Sequence, residues 1–436
     1  MFPATSVADP LPTDQTSGLN RQLRRFLATT LRQTRPLLAA QAVQCAADRS
    51  RTSCAHFARA CLRLVHGLAG HASLRQAYAA FPLTGGLLDL SGLAVDPGTE
   101  ELALRFSQVA ASSSTRPAAF LAGCVGELAR QVRAGGGRLG RELPADLLLR
   151  DSTFVRLPLA LASWLPGDGG HDVPGVRALF AHAPAEDLPD LLLLTDTRQN
   201  DCQALDEGLL DDPERLAAVR GQPLVVDLGF YSHARFARLR AADVHFVTRL
   251  HAQAADVVEE ERAVQASLPN LAAGRITVRA DHQITLGSPT HRAGAVLPGL
   301  RLVEAGGTPQ PRAARAGAAP ITDRRITDRR DLDPTTVVQL YLWRWEIELF
   351  FRWRKRIIGL PRGLGYRPNA VALTVWLAIA VHLLTILATR TLGLVRRSPT
   401  LLTRLRAALL ALTAAAAAPP VSQLALPIGD PAPAPT

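Results

Sequence analysis

The stretch TTVVQLYLWRWEIELFFRWRKRII, residues 335–358, decides how this chain is read. It follows Pro334, a residue suited to the first turn of a helix, and contains no further proline or glycine, so one long helix is expected across it. At about 100° per residue, Tyr341, Arg344, Glu348 and Lys355 share a stripe roughly 60° wide on one face. Trp343, Trp345, Ile347, Leu349, Phe350, Phe351 and Trp353 fill much of the remaining circumference. A helix this apolar is expected to be largely buried, and a Tyr-Arg-Glu-Lys stripe inside it is costly unless partnered. The same spacing would suit a solvated stripe of i,i+4 ion pairs. Here the exposed side would be the narrow one, which favours a functional site.

A single glutamate among basic residues suggests a metal ligand beside phosphate-binding groups, and a hard divalent cation then calls for further carboxylates. Two stand where strands should display them. Asp151 follows Leu147-Leu148-Leu149-Arg150, and Asp227 follows Pro223-Leu224-Val225-Val226. Taken alone, either aspartate reads more readily as a turn or capping residue. His182 and His233 flank the same segments, but a lone histidine there is more often a hydrogen-bonded structural residue.

Composition bounds the alternatives. With 436 residues, 47% hydrophobic and 20% charged, the chain has ample core and is neither disordered nor collagen-like. Five cysteines without a CxxC pair argue against a disulfide framework or zinc knuckle and fit a reducing cytoplasm. The net charge of +11 is uneven: +7 over residues 1–150, −5 over 151–334 and +9 over 335–436. Basic ends suit a polyanion such as DNA, and an acidic middle suits a divalent metal. Lys355 is the only lysine among 49 basic residues, so most arginines reflect coding bias and read as ordinary surface charge. No basic region followed by an apolar run opens the chain, so no signal peptide is expected. Ala370–Ala388 approaches membrane-spanning length, but His382, its threonines and its solitary occurrence point to a buried helix and no membrane.

Along the chain, residues 18–82, Ala103–Gln108 and Ala118–Val132 carry the helical period, with Ser112–Thr115 and Pro117 as a stop-and-start signal between the last two. After Gly135-Gly136-Gly137 the pattern changes. Strands are expected at Leu147–Leu149, Val176–Ala183, Leu191–Leu194, Pro223–Val226 and His245–Leu250, with helices at Ala204–Arg220 and His233–Ala241. Weak alternation over 255–305 predicts a small β-rich insert, and 306–320 reads as a loop. Ile321-Thr322-Asp323-Arg324-Arg325 repeats at once as Ile326-Thr327-Asp328-Arg329-Arg330, a duplication expected to lengthen a loop. A second late helix should span about 369–394, and the Ala/Pro tail from Ala414 reads as low-complexity and disordered.

Asp151-Ser152-Thr153, Asp227-Leu228-Gly229-Phe230-Tyr231 and Tyr341-(2)-Arg344-(3)-Glu348-(6)-Lys355 together resemble the DDE transposases of bacterial insertion sequences, in the family defined by a Tyr-(2)-Arg-(3)-Glu-(6)-Lys signature. The surroundings Arg344-Trp345-x-Ile347-Glu348-x-x-Phe351-Arg352 and Phe246-Val247-x-Arg249 are also similar to that family. Leu228 departs from it, standing where arginine is common. The likeness covers about 140–395.

That resemblance implies an α/β fold: a ribonuclease-H-like catalytic core with a β-rich insertion, preceded by an all-α N-terminal domain. The corresponding domains are 1–140 (helical, DNA-binding), 141–254 (first part of the core), 255–320 (insertion), 321–398 (second part of the core) and 399–436 (C-terminal helix and tail). It further implies Asp151, Asp227 and Glu348 as catalytic metal ligands for Mg²⁺, with Mn²⁺ a substitute. Tyr341, Arg344, Lys355, Trp345 and Arg352 would contact DNA. The partners would be double-stranded DNA, as transposon ends and target, and a second copy in a synaptic homodimer. The setting would be the bacterial cytoplasm, in association with the nucleoid. Two alternatives remain open: a metal-dependent endonuclease that cuts without joining, and an inactive DNA-binding relic. Joined product separates the first from transposition; loss of all chemistry with DNA binding retained marks the second.

Overall fold

The apolar runs between residues 147 and 327 become strands of one mixed sheet in the computed structural model. The structure describes residues 18–19, 21–30, 74–80, 105–115, 118–135, 147–156, 175–196, 199–262, 264, 266–270, 274–287, 295–307, 321–353, 365–393, 404–405 and 408. Two units emerge, one of Met1–Ala8 with Arg141–Arg352, the other of Asp9–Gly140 with Trp353–Thr436.

In the first unit the strands are β1 (Leu148–Arg156), β2 (Gly175–Ala183), β3 (Leu188–Asp196), β4 (Pro223–Val225), β5 (His245–Arg249), β6 (Asp256–Arg262), β7 (Ala266–Asn270), β8 (Gly274–Leu286), β9 (Leu297–Gly307) and β10 (Ile321–Thr327). Their order is β3-β2-β1-β4-β5-β10-β9-β8-β6, with β7 on β8. β1, β4 and β5 run parallel, and every other pairing is antiparallel. The β-rich insert expected over 255–305 is β6 to β9, which extends this sheet.

Three expectations change. β1 does not stop before Asp151 but continues to Arg156, because β2 pairs with it from Leu149 onward while β4 pairs only with Leu148 and Leu149. The helix expected over Ala204–Arg220 is divided into α1 (Asp201–Leu205), a π turn at Asp206–Leu210 and α2 (Pro213–Ala218). Asp212 restarts it by accepting hydrogen bonds from the backbone of Glu214 and Arg215 at 3.1 and 3.0 Å, with Pro213 in the first turn. The tandem repeat lengthens no loop: Ile321–Thr327 is β10, lying between β5 and β9, and Ile326 is fully buried. Asp328 in the second copy accepts a hydrogen bond from the Phe246 backbone at 2.9 Å, and Arg330 donates to the Gly299 carbonyl at 2.8 Å.

Helix α3 (His233–Ala241) starts at the predicted residue, where the Ser232 hydroxyl caps Arg235. The helix expected through Ile358 is two within the described residues, α4 (Pro334–Trp343) and α5 (Trp345–Trp353); residues 354–358 lie outside them. At the join, Arg344 N–H donates to Tyr341 C=O and Ile347 N–H to Arg344 C=O, at 3.1 and 3.2 Å. These i to i+3 bonds tighten the turn. Phe350 and Phe351 of α5 meet Phe180 of β2 edge-on at 5.8 and 5.6 Å, which anchors the helix to the sheet.

The second unit is described as helices, among them Phe106–Thr115, Ala119–Ala134 and Pro368–Thr391. Ser112–Thr115 belongs to the end of the first of these rather than to the gap. The next helix has no side-chain cap of its own at Ala118, and Asn369 serves instead, its Oδ1 accepting from Ala118 N–H at 2.9 Å. Pro368–Thr391 is long and apolar enough to cross a membrane, with an 18-residue stretch of mean hydropathy 2.3, yet 89% of that stretch is buried. It packs on the two preceding helices, and Arg390 donates to the Val132 carbonyl. The expected Ala/Pro tail lies outside the described residues; of the loop expected over 306–320, Gly306 and Gly307 instead end β9 and the rest lies outside the described residues.

Candidate active site

Strand register brings the first two carboxylates level. Leu149 of β1 pairs with Val225 of β4, and each aspartate lies two residues further along its chain. Side chains alternate along a strand, so Asp151 returns to the face of Leu149. Past Val225 the chain leaves the ladder: Val226 N–H still reaches Val247 C=O at 3.2 Å, and Asp227 then opens a 3-10 turn, Leu228–Phe230. Its side chain makes no capping bond to that turn and is left for other partners. Across the sheet, Val225 pairs with Val247, so Arg249 stands two residues beyond the same level, opposite Arg325 of β10.

The α4–α5 turn supplies the rest. Tyr341 Oη donates to Asp227 Oδ1 at 2.9 Å. Arg344 reaches Glu348 Oε1 at 2.7 Å, Asp151 Oδ2 at 3.7 Å and Asp227 Oδ1 at 3.8 Å. One guanidinium thus stands among three carboxylates from β1, the β4 exit and α5. Its side chain is only 14% exposed, so these are contacts of reduced solvent screening. Arg325, 2% exposed, carries its guanidinium 5.4 Å from the Tyr341 ring centre and pairs with Asp323 at 3.1 Å.

The electrostatics follow from burial and crowding. Burial, opposed by the Ser152 N–H and Arg344 and reinforced by Asp227 and Glu348, pushes the Asp151 carboxyl up to about 7. Burial and the neighbouring Asp227 raise the Tyr341 phenol, which keeps it a proton donor. Burial works against the charge on Arg344, but Tyr341, Asp227, Glu348 and Asp151 outweigh it and raise its pKa. On Arg325 burial prevails and lowers it.

Of the residues expected to form the site, Asp151, Asp227, Glu348, Tyr341 and Arg344 are brought together. Trp345 is 39% exposed at the start of α5. Arg352 is described by its backbone alone, and Lys355 lies outside the described residues. Among those described, no group of three or more His, Cys, Asp or Glu stands close enough to hold a metal as placed. The donors are nevertheless of the right kind, three hard carboxylates converging on one cationic group.

Sequence reasoning missed Arg325, Asp201 and Arg177. Arg325 was hidden by the abundance of arginine and by reading its segment as a loop. Asp201 carries only a local helix-start signal, Asn200 with Gln203 forming a capping box. Arg177 sits within a strand and has no local signal at all.

Comparison with known proteins points to one family. The family described as "Transposase DDE domain" matches residues 142–384. A Sinorhizobium fredii protein named as a transposase, y4zB, is 28% identical over 282 residues, covering 65% of this chain and 71% of that one. A Geobacillus stearothermophilus protein named as a transposase for insertion sequence element IS5377 is 26% identical over 251 residues, covering 57% and 58%. A cryo-EM structure of a piggyBac transposase synaptic complex with hairpin DNA aligns over 85% of this chain and 73% of its own, at 9% identity and a TM-score of 0.38.

Proposed function

The chain belongs to the transposase DDE-domain family of insertion sequences, and from that premise we propose that it binds the inverted repeats at its element's ends, hydrolyses a phosphodiester to free a 3′-OH and joins that end to target DNA. The observation that carries this reading is the convergence of Asp151, Asp227 and Glu348 on one guanidinium. The strand order β3-β2-β1-β4-β5, with β2 antiparallel to its neighbours, supports a ribonuclease-H-like core, and β6 to β9 would be its insertion.

Asp151, Asp227 and Glu348 would hold Mg²⁺, or Mn²⁺ in its place, and the metal would supply water activation and stabilisation of the leaving oxygen. The chain's own residues prepare that site. Tyr341 fixes one oxygen of Asp227 by donating to it, which leaves the other without that donor. Arg344 supplies one positive charge among three carboxylates. With those charges otherwise neutralised, its planar donors suit a DNA phosphate. Lys355, Trp345 and Arg352, on or after α5, extend the DNA-contacting surface in this reading, and the basic residues 1–140 form the end-binding domain. A synaptic homodimer follows from the need to process two ends together, and the protein works on the bacterial nucleoid.

The test is a strand-transfer assay with a labelled duplex of the element's own end, a supercoiled plasmid and Mg²⁺ or Mn²⁺. Joined product from wild type, lost in Glu348→Gln, is expected. Cleavage without joining would replace the reading by a nuclease. DNA binding without either product would make the chain an inactive relative.

A further inference from the structure

Behind the two aspartates lies a fourth carboxylate that no motif includes. Asp201 is the first residue of α1, and its Oδ1 accepts from the Ser152 hydroxyl at 2.5 Å. Ser152 directly follows Asp151, and its backbone N–H donates to Asp151 Oδ1 at 2.8 Å. The other oxygen of Asp201 lies against the turn that follows Asp227: a Cβ built on Gly229 would stand 3.1 Å from Asp201 Oδ2. One carboxylate therefore bonds the residue after Asp151 with one oxygen and borders the residue two after Asp227 with the other.

Arg177 of β2 locks this carboxylate. Its Nη1 pairs with Asp201 and also donates to the Ser152 hydroxyl at 3.2 Å, while its Nε donates to the Gln199 carbonyl at 3.0 Å. The next residue of α1 repeats the link to the Asp227 turn, the Cys202 thiol donating to the Gly229 carbonyl at 3.3 Å. Arg235 of α3 then ties both segments, donating to the Cys202 carbonyl at 3.0 Å and the Phe230 carbonyl at 3.1 Å. Asp201 bonds the Asp151 side of this network and borders the Asp227 side. A side chain larger than glycine's at 229 would crowd it.

We propose that Asp201, held by Arg177, is a positioning residue that sets the separation of Asp151 and Asp227 for a divalent cation. It acts on Asp151 through Ser152 and on the Asp227 turn by its place beside Gly229, where the adjacent Cys202 bonds the Gly229 carbonyl, without itself being a ligand. The inference rests on the reading of Asp151, Asp227 and Glu348 as metal ligands. Groups that orient ligands in this way typically change metal affinity by about 10–100-fold when altered.

The experiment measures Mn²⁺ binding to the full chain by electron paramagnetic resonance, with urea unfolding in chelator as a control. Asp201→Asn keeps the size of the side chain and removes the charge opposite Arg177; Ser152→Ala removes the link to Asp151. Each is expected to weaken Mn²⁺ binding about tenfold or more, and the double variant no more than the worse single one, because both cut one connection. Asp227→Asn is the reference. If it binds Mn²⁺ as wild type does, the ligand reading is overturned and this inference with it. If it loses binding while Asp201→Asn and Ser152→Ala fold and bind as wild type, the inference alone is overturned. Lowered stability with unchanged Mn²⁺ affinity would likewise reduce the network to a structural role.

Discussion

In the metal-free protein, replacing Asp151 by asparagine should change how stability depends on pH. Burial pushes this carboxyl from 3.8 to about 7 in the folded chain. Between those values the folded state holds a proton that the unfolded state has lost, so the native state gains as pH falls and loses as pH rises. The contribution is therefore present at about pH 5 and gone by about pH 8, the reverse of a salt-bridged aspartate. The folded group sits about two units above pH 5 and ionises fully by pH 8, while the unfolded group is ionised at both. At about 1.4 kcal/mol per unit, the window is worth roughly 2–3 kcal/mol. Asparagine at this position removes the titration, and with it that slope. The assay is urea unfolding in excess chelator at both pH values, for wild type and Asp151→Asn. Every other ionisable group is common to both proteins and cancels in the difference. Asp331, held down to about 2 by its hydrogen bond from Arg329, titrates below the window. A slope shared by both proteins would refute the argument, since it would mean that Asp151 is ionised throughout.

Three further outcomes follow from the same geometry. Arg344→Met leaves Asp151, Asp227 and Glu348 without their common counter-ion; urea unfolding in chelator should show a loss on the order of 3–5 kcal/mol, partly restored by Mn²⁺. Tyr341→Phe removes the donor to Asp227 while keeping the ring that faces Arg325; stability should fall by about 1 kcal/mol, and single-turnover cleavage of a labelled end by about tenfold or more. Gly299→Ala places a Cβ 1.6 Å from Arg330 Nη2 at a φ of +67°, and thermal unfolding should show a loss of roughly 1–3 kcal/mol. Adding Arg330→Ala should relieve the clash but not the backbone strain.

The parts of the site that sequence made legible are those governed by local periodicity. Tyr341, Arg344 and Glu348 share a face because three- and four-residue spacings place side chains together on a helix, and a tightened turn at Arg344 does not undo that. Asp227 was visible as the residue ending a short apolar run before Gly229. Asp151 was found for a partly mistaken reason. Its strand continues to Arg156, and the aspartate is freed on one side only because β4 is three residues long. The length of a neighbouring strand cannot be read from the residues around Asp151. Arg177, Asp201 and Arg325 were out of reach for a related reason: their partners lie 24 or 25 residues away for Arg177, 49 for Asp201, and across strand pairing for Arg325. In a chain with one lysine and an excess of arginine, a buried arginine carries no compositional mark.

Register explains why residues so far apart form one site. The pairings Leu149 with Val225 and Val225 with Val247 align three parallel strands, and the pairing of Arg249 with Arg325 adds β10. Two residues past the first three positions come Asp151, Asp227 and Arg249, so acid, acid and base follow one another across the sheet. A one-residue slip of β4 would turn Asp227 to the opposite face and leave Tyr341 without its acceptor. Leu224, Val225 and Val226 are all buried, so β4 is packed on both faces, and a slip would put each side chain into a packed position shaped for its neighbour. The core thus fixes which carboxylates face one another, while the α4–α5 turn brings Arg344, the cation that stands among them. Removing Arg344 tests the second half of that statement, and the pH dependence of Asp151→Asn tests the first, because burial at that level of the sheet is what raises its proton affinity.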